Sequence, residues 1–184
     1  MRISEVDILI VPGLGNSGPE HWQRRWGSRF ATASFVEQDD WDRPQVEPWI
    51  ANLEHAIIMA TRPVILIGHS LGATAIVHTA QRLKDTKVRG AFLVAAPDLE
   101  SPAAPPEIAP FRNVPRDPLP FPSMLVASSD DPYCTLERAV EFATCWASDF
   151  HDAGPSGHIN VASGHGPWPE GLLMFTRLMQ RLKS

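Results

Sequence analysis

The 184-residue sequence is poor in cysteine, in basic residues and in long apolar runs, and each shortage argues against a class of protein. Two cysteines, Cys134 and Cys145, cannot form a disulfide framework, which favours a reducing cytoplasm. Sixteen basic against 21 acidic residues give a net charge of −5, which argues against a nucleic-acid or anionic-membrane surface. No apolar run approaches the roughly 18 residues of a membrane span. We therefore expect a cytoplasmic protein with neither nucleic acid nor membrane as a partner.

What the sequence does contain is typical of a globular protein. Hydrophobic residues make up 43% and charged residues 20%, and the length suits one domain over residues 1–184. Proline is abundant, with 18 residues that collect between Pro97 and Pro122. Residues 96–120 show no periodicity, and an irregular segment of this length in a compact domain is usually functional. We expect it to form a surface cover beside the functional site and to shape the pocket there.

Apolar runs typical of strands alternate with segments at helical spacing. The predicted strands are residues 6–11, 33–37, 64–67, 88–96, 122–128 and 148–152. The first predicted helix starts at Pro19, and the other four cover residues 47–60, 73–83, 135–143 and 170–182. In the helix over residues 47–60, Ile58 is among the residues expected to face inward. This alternation predicts a mostly parallel six-stranded sheet in the order 2-1-3-4-5-6, with helices on both faces.

The segment Gly68-His69-Ser70-Leu71-Gly72 stands between a buried strand and a predicted helix. A Gly-x-Ser-x-Gly run in that context is typical of a nucleophile elbow, the turn that lifts a reactive serine above a sheet. The helix that follows would direct its free amides and positive end at the same point. A serine that merely caps a helix is the plainer interpretation, but the strand-turn-helix context favours Ser70 as a catalytic nucleophile.

A nucleophilic serine needs a base and an acid that orients the base, and both should follow it in the chain. Asp130 and Asp131 come just after the fifth predicted strand, at the sheet edge where catalytic groups collect. Two adjacent aspartates cannot both point into one site. Asp131, directly before Pro132, is favoured as the acid, with Asp130 as a loop or capping residue.

Three histidines near the end of the chain are candidates for the base. His151 falls inside the sixth predicted strand and looks structural. His158 lies just beyond that strand, in a loop that could bring its imidazole back over Ser70, and is the favoured choice. His165 is the fallback, whereas His69, next to the nucleophile, is expected to support the site or pack in the core.

An oxyanion hole requires two N–H donors. Leu71, the residue after the nucleophile, supplies one. The loop after the first strand should supply the other, and Gly13 and Gly15 would allow the chain to turn the Leu14 amide inward. The sequence therefore predicts Leu14 and Leu71 as the oxyanion donors.

Together these segments resemble the small single-domain serine hydrolases related to retinoblastoma-binding protein 9, nearly end to end. The matching segments are residues 11–17 (VPGLGNS), 68–73 (GHSLGA), 129–133 (SDDPY), 157–160 (GHIN) and 163–171 (SGHGPWPEG). By position, the resemblance implies Ser70 as nucleophile, Asp131 as acid and His158 as base. It also implies a three-layer α/β-hydrolase fold without a large lid. The expected activity is cleavage of a small ester, thioester or amide, most closely that of a carboxylesterase.

Other interpretations compete with hydrolysis. Residues 13–18 spell Gly-x-Gly-x-x-Gly after the first strand, with Asp39 and Asp40 about twenty residues on, which is typical of a dinucleotide-binding loop. A non-catalytic hydrolase-fold protein could instead bind a partner through its six tryptophans. A metal site is disfavoured, because glycine and proline interrupt the spaced histidines and no His-Glu-x-x-His occurs. We expect no cofactor and no metal, and a small acyl substrate as the partner.

Overall fold

A computed structural model describes residues 1–83 and 87–182 of the chain. The strands are β1 (Asp7–Val11), β2 (Ala33–Phe35), β3 (Val64–His69), β4 (Val88–Val94), β5 (Ser123–Ala127) and β6 (Asp149–Asp152). The α-helices are α1 (Trp22–Arg29), α2 (Val46–Met59), α3 (Leu71–Ala80), α4 (Leu136–Cys145) and α5 (Pro169–Arg181). Short 3-10 turns cover Ile3–Glu5, Pro106–Phe111 and Val161–Ser163.

The six strands form one sheet in the order β2-β1-β3-β4-β5-β6, and every neighbouring pair is parallel. The predicted strand order is therefore confirmed. All six residues of β3 are buried, as expected for a central strand covered on both faces. Because β1 and β3 are neighbours whose outgoing connections leave on opposite faces, their carboxyl ends meet at a switch point in the sheet.

Helices cover both faces and complete three layers. On one face, α2, α3 and α4 pack against alternate strand residues such as Leu66 and Leu93. On the other face, α1 and α5 pack against the intervening residues, including Ile67 and Phe92. The alternation of side chains along each strand thus divides the apolar residues between two cores.

Two local predictions are wrong. The first helix begins at Trp22 and not at Pro19, because the amide of His21 closes a turn onto the Gly18 carbonyl and the His21 side chain then caps the helix. Ile58 was expected to face inward, but 69% of its surface is exposed. Its neighbour Ile57, also expected to face inward, is buried, so the apolar stripe of α2 is narrower than its composition indicates.

The proline-rich segment is irregular but well packed. Its buried residues Leu99, Ile108 and Phe111 contact Trp49 and Leu71, so it lies beside the start of α3. The Arg138 guanidinium of α4 donates to the carboxylates of Asp98 at 3.1 Å and Glu100 at 2.8 Å, which holds the start of the segment against the body of the fold. The segment is therefore a fixed cover and not a linker.

Within residues 1–83 and 87–182, no helix combines the length and apolar character needed to cross a membrane.

Candidate active site

Ser70 sits in the turn between β3 and α3 with a backbone conformation that serine rarely adopts. Its φ is 55° and its ψ is −126°. A non-glycine residue at positive φ carries strain of about 1–3 kcal/mol and persists only where its surroundings impose the conformation. The Ser70 amide donates to the Val94 carbonyl of β4 at 2.9 Å, which fixes the turn above the sheet.

The two glycines that flank Ser70 permit this sharp turn because a side chain at either position would collide with backbone. A Cβ on Gly68 would lie 2.7 Å from the Ala73 Cα, at the crossing of β3 and α3. A Cβ on Gly72 would lie 2.6 Å from the Pro12 carbonyl oxygen and still closer to that of Val11. The Gly-x-Ser-x-Gly spacing therefore serves both the strand-helix crossing and the approach of the β1 end.

The structure brings together the three residues that sequence analysis assigned to a charge relay. The Ser70 hydroxyl donates to His158 Nε2 at 2.8 Å. His158 Nδ1–H donates to the two Asp131 carboxylate oxygens at 3.0 and 2.9 Å. Only 2% of the Asp131 side chain and 10% of the His158 side chain are exposed. The serine is thus aligned with an imidazole whose far nitrogen lies on a buried carboxylate.

The neighbouring Asp130 holds the loop that carries His158. Its carboxylate accepts from the Ser128 hydroxyl at 2.7 Å and from the Gly157 amide at 2.7 Å. These hydrogen bonds hold the pKa of the Asp130 carboxyl below its usual value, led by the one from Ser128. The two aspartates therefore point to different partners, one to the imidazole and one to the backbone beside it.

Two further hydrogen bonds fix the backbone around His158. His69 Nε2–H donates to the His158 carbonyl at 2.9 Å. The Trp22 indole donates to the next carbonyl, that of Ile159, at 3.0 Å. Ile159 itself is at φ 48° and fully buried. The position of the imidazole over Ser70 is consequently set by α1, β3 and the Asp130 carboxylate together.

The other two candidate histidines lie elsewhere. His165 Nδ1 is 3.1 Å from the Ser163 hydroxyl, and its ring packs on Trp168. His151 pairs with Val126 within the sheet. Among the described residues, no group of three His, Cys, Asp or Glu side chains is arranged to hold a metal ion.

The two predicted oxyanion donors lie on backbone segments in direct contact. A Cβ on Gly13 would be 3.0 Å from the Ser70 Cβ and 3.2 Å from the Leu71 nitrogen, so the β1 loop packs onto the elbow. The amides of Leu14 and Leu71 are both without an acceptor among the described residues.

A cavity of about 220 Å³ opens above Ser70. It is lined by Gly13, Leu14, Asn16, His21, His69, Ser70, Pro97, Pro105, Ile108, Tyr133, His158 and Asn160. Histidines are the only titratable residues in this lining apart from Tyr133, and no lysine, arginine, aspartate or glutamate belongs to it. Three of the lining residues come from the proline-rich segment, which therefore forms part of the wall.

Sequence reasoning missed two buried polar residues, His21 and Gln23. The Gln23 amide group donates to the carbonyls of Val11 at 3.2 Å and Ile67 at 3.4 Å, at the ends of β1 and β3. Its oxygen accepts from the Ser17 hydroxyl at 2.7 Å, which fixes the loop after β1. The sequence signal that could have found Gln23 is its position between Trp22 and Trp26, the two buried tryptophans of α1.

Burial keeps the histidines around the elbow neutral. Desolvation, aided by His158 and His165, lowers the pKa of His21 to about 4. Burial also holds the pKa of His69 well below its usual value, with His158 and His21 adding to the effect. Both rings are therefore hydrogen-bonding groups and not charges near neutral pH.

The low pKa of His21 predicts a loss of stability in acid. A histidine whose pKa is depressed by folding contributes stability above its unfolded value of about 6.5, and this is lost as the pH falls toward the folded value. For His21 the loss between pH 7 and 4.5 is roughly 2–3 kcal/mol. Urea unfolding of the wild type and of His21→Asn across this range is expected to give a shallower pH dependence for the variant.

His55 provides the matched control, because it is an exposed histidine on α2. The His55→Asn variant is expected to retain the wild-type pH dependence. If His21→Asn also retained it, the account of a buried neutral His21 would be wrong.

Comparison with known proteins places the chain in a family. A family model described as Serine hydrolase matches residues 8–177. The chain belongs to this serine hydrolase family. The matched residues span β1 to α5 and include Ser70, Asp131 and His158. No protein with a curated description matches the sequence.

Several solved structures resemble this serine hydrolase. A YdeN-like hydrolase from Pectobacterium atrosepticum SCRI1043 is 32% identical over 97% of this chain and 93% of that chain, with a TM-score of 0.86. The ydeN gene product of B. subtilis is 18% identical over 95% and 98% of the two chains, with a TM-score of 0.77. The esterase RhEst1 from Rhodococcus sp. ECU1013 is 13% identical over 99% and 93%, with a TM-score of 0.67. The two lower identities bear on the fold alone, which is that of the α/β-hydrolases.

Proposed function

We propose that this serine hydrolase cleaves small esters, thioesters or amides through an acyl-enzyme on Ser70, with carboxylesterase-like activity. His158 is the general base and Asp131 the acid that orients it. The observation that carries the proposal is the continuous pair of hydrogen bonds from Ser70 Oγ to His158 Nε2, at 2.8 Å, and from His158 Nδ1 to Asp131.

The tautomer follows from these partners. The Asp131 carboxylate accepts hydrogen bonds from Nδ1, so the Nδ1 proton lies toward it and Nε2 presents a lone pair to the Ser70 hydroxyl. His158 takes the hydroxyl proton as Ser70 Oγ attacks the substrate carbonyl carbon. The carbonyl oxygen becomes an oxyanion, which the Leu14 and Leu71 amides stabilise together with the positive end of α3.

The tetrahedral intermediate collapses when His158 Nε2–H donates its proton to the leaving oxygen, sulfur or nitrogen. The acyl group stays on Ser70 Oγ as an ester. A water molecule then gives a proton to His158 and attacks the acyl carbon, and His158 returns that proton to Ser70 Oγ. The carboxylic acid leaves, and the enzyme is regenerated with no cofactor consumed.

Cavity size and charge limit the substrate. Pockets for drug-sized ligands are roughly 300–1,000 Å³, so a cavity of about 220 Å³ favours a short acyl group. The absence of aspartate, glutamate, lysine and arginine from the lining favours an uncharged substrate. The esterase activity named for RhEst1 supports an ester as the first substrate to test.

The competing hypotheses have less support. The Gly13–Gly18 loop was a candidate for dinucleotide binding, but family membership favours a hydrolase, and Gly13 packs on Ser70. A partner-binding surface built from tryptophans is disfavoured because five of the six are buried. The cytoplasmic location and the closer relation to retinoblastoma-binding protein 9 stay predictions.

Rapid mixing of the enzyme with excess p-nitrophenyl acetate tests the proposal. The release of p-nitrophenol is expected to show a burst of about one equivalent per chain, followed by slower turnover, because acylation by this activated ester is faster than deacylation. A Ser70→Ala variant treated in the same way is expected to show no burst. A burst that persists in Ser70→Ala would contradict the proposal.

A further inference from the structure

His21 lies in the cavity wall with one ring nitrogen engaged and the other free. Its Nδ1 accepts a hydrogen bond from the Gln23 amide at 3.2 Å, as the cap of α1. The proton of the neutral ring is therefore on Nε2. The residue is only 6% exposed, yet it lines the cavity, and no described residue accepts a hydrogen bond from Nε2. Among the described residues, no buried side-chain nitrogen or oxygen lacks a partner, so the unpartnered Nε2 is reached by solvent and is accessible to a bound group.

The His21 ring and the His158 ring both lie against the ring of His69. The His21 centroid is 4.8 Å from that of His69, and the His69 centroid is 5.1 Å from that of His158. In acyl transfer, the leaving group departs beside the imidazole that protonates it. The free His21 donor is consequently close to the region that the leaving group would occupy.

A second uncharged donor lies in the same lining. The Asn160 side-chain oxygen accepts from the Ser163 amide at 3.1 Å, which leaves the NH₂ group without an acceptor among the described residues. The His21 ring stays neutral because burial lowers its pKa to about 4. Neutral donors suit an ether, hydroxyl or carbonyl oxygen. Sites that bind a carboxylate or a phosphate ordinarily use cationic side chains.

We propose that His21 is a specificity-determining residue whose Nε2–H donates a hydrogen bond to an uncharged oxygen in the leaving-group alcohol of the substrate. This inference rests on the proposed serine hydrolase activity. It adds a substrate class, namely short uncharged esters of oxygen-bearing alcohols.

Two acetate esters with the same number of heavy atoms test the proposal. In 2-methoxyethyl acetate, an ether oxygen replaces one methylene of butyl acetate. The kcat/KM ratio of the two esters is measured for the wild type and for His21→Asn. Asparagine is a good helix cap, so α1 is retained, but its short side chain does not extend into the cavity as the imidazole does. The variant is expected to lower the preference for the methoxyethyl ester about five- to tenfold.

Comparison of ratios cancels the intrinsic reactivity of the two esters. The His55→Asn variant, altered at an exposed histidine of α2, is expected to keep the wild-type ratio. An unchanged ratio in His21→Asn would overturn the proposal. A second pair of esters, ethyl methoxyacetate and ethyl butyrate, carries the same difference on the acyl side. If His21→Asn changed the kcat/KM ratio of this pair only, the donor would contact the acyl group, and the proposal would also be overturned.

One measurement does not depend on the folding of any variant. The wild-type kcat/KM for each ester is divided by the rate constant for its hydroxide-catalysed hydrolysis. This normalised value is expected to be higher for the methoxyethyl ester, and equal values for the two esters would also overturn the proposal. Failure of the underlying function looks different. In that case the wild type would hydrolyse none of these esters and would give no burst with p-nitrophenyl acetate, and both proposals would fall.

Discussion

Replacing Ser70 with alanine is expected to lower kcat/KM for ester hydrolysis by about four to six orders of magnitude. The hydroxyl that His158 Nε2 contacts at 2.8 Å is the only part of the side chain removed. Alanine retains the Cβ, so the strain at φ 55° is unchanged and the elbow is expected to keep its shape. Steady-state kinetics, with circular dichroism to verify the fold, measure the effect.

The histidine assignment is tested by a matched pair of variants. His158→Ala is expected to lower activity nearly as far as Ser70→Ala, because members of a charge relay act as a unit. His165→Ala removes an imidazole that does not line the cavity, and near wild-type turnover is expected. The reverse pattern, with an active His158→Ala and an inactive His165→Ala, would refute the assignment.

Replacing Gly72 with alanine is expected to destabilise the fold by more than about 3 kcal/mol. The added methyl group would overlap the carbonyl oxygens of Val11 and Pro12, which belong to backbone and cannot rotate away. For a chain of this length, such a loss corresponds to a fall in Tm of roughly 10 °C. Thermal unfolding followed by circular dichroism measures it directly.

Gly18 provides the control for this substitution. A Cβ built there meets nothing within 4 Å, and the residue is exposed in the loop before α1. Gly18→Ala is therefore expected to change Tm little. Equal Tm values for Gly72→Ala and the wild type would contradict the close packing of β1 against α3.

The architecture was predictable because its determinants are local. The four apolar residues from Val64 to Ile67 are typical of a strand buried on both faces, and all of β3 is buried. Apolar strands that alternate with helices along the chain predict a parallel sheet with helices on both faces. The start of α1 was mispredicted because proline at residue 19 favours a first helical turn, whereas the His21 cap determines the actual start.

Candidate site residues could be selected from their order in the chain. Ser70, Asp131 and His158 each follow a predicted strand, and parallel strands bring their carboxyl ends to one edge. The structure places these three residues within hydrogen-bonding distance of one another, and their catalytic roles stay predictions. The choice between the two adjacent aspartates depended on turn geometry, which a sequence indicates only weakly.

The supporting residues could not be found in this way. Gln23 donates to Ile67, 44 residues away, and His69 donates to the carbonyl of His158, 89 residues away. No periodicity encodes such contacts, because each depends on two elements that meet only in the folded chain. A lone glutamine or histidine at a helix start is ordinarily solvated, so the cavity-lining position of His21 required the structure.

The most direct test of the central claim is the site of covalent modification by a fluorophosphonate probe, mapped by mass spectrometry of peptides. The account predicts one equivalent of label on the peptide that carries Ser70, and loss of that label in the Ser70→Ala variant. Hydrolysis of esters by a wild-type protein that carries no label at Ser70, or a label on another residue, would contradict it.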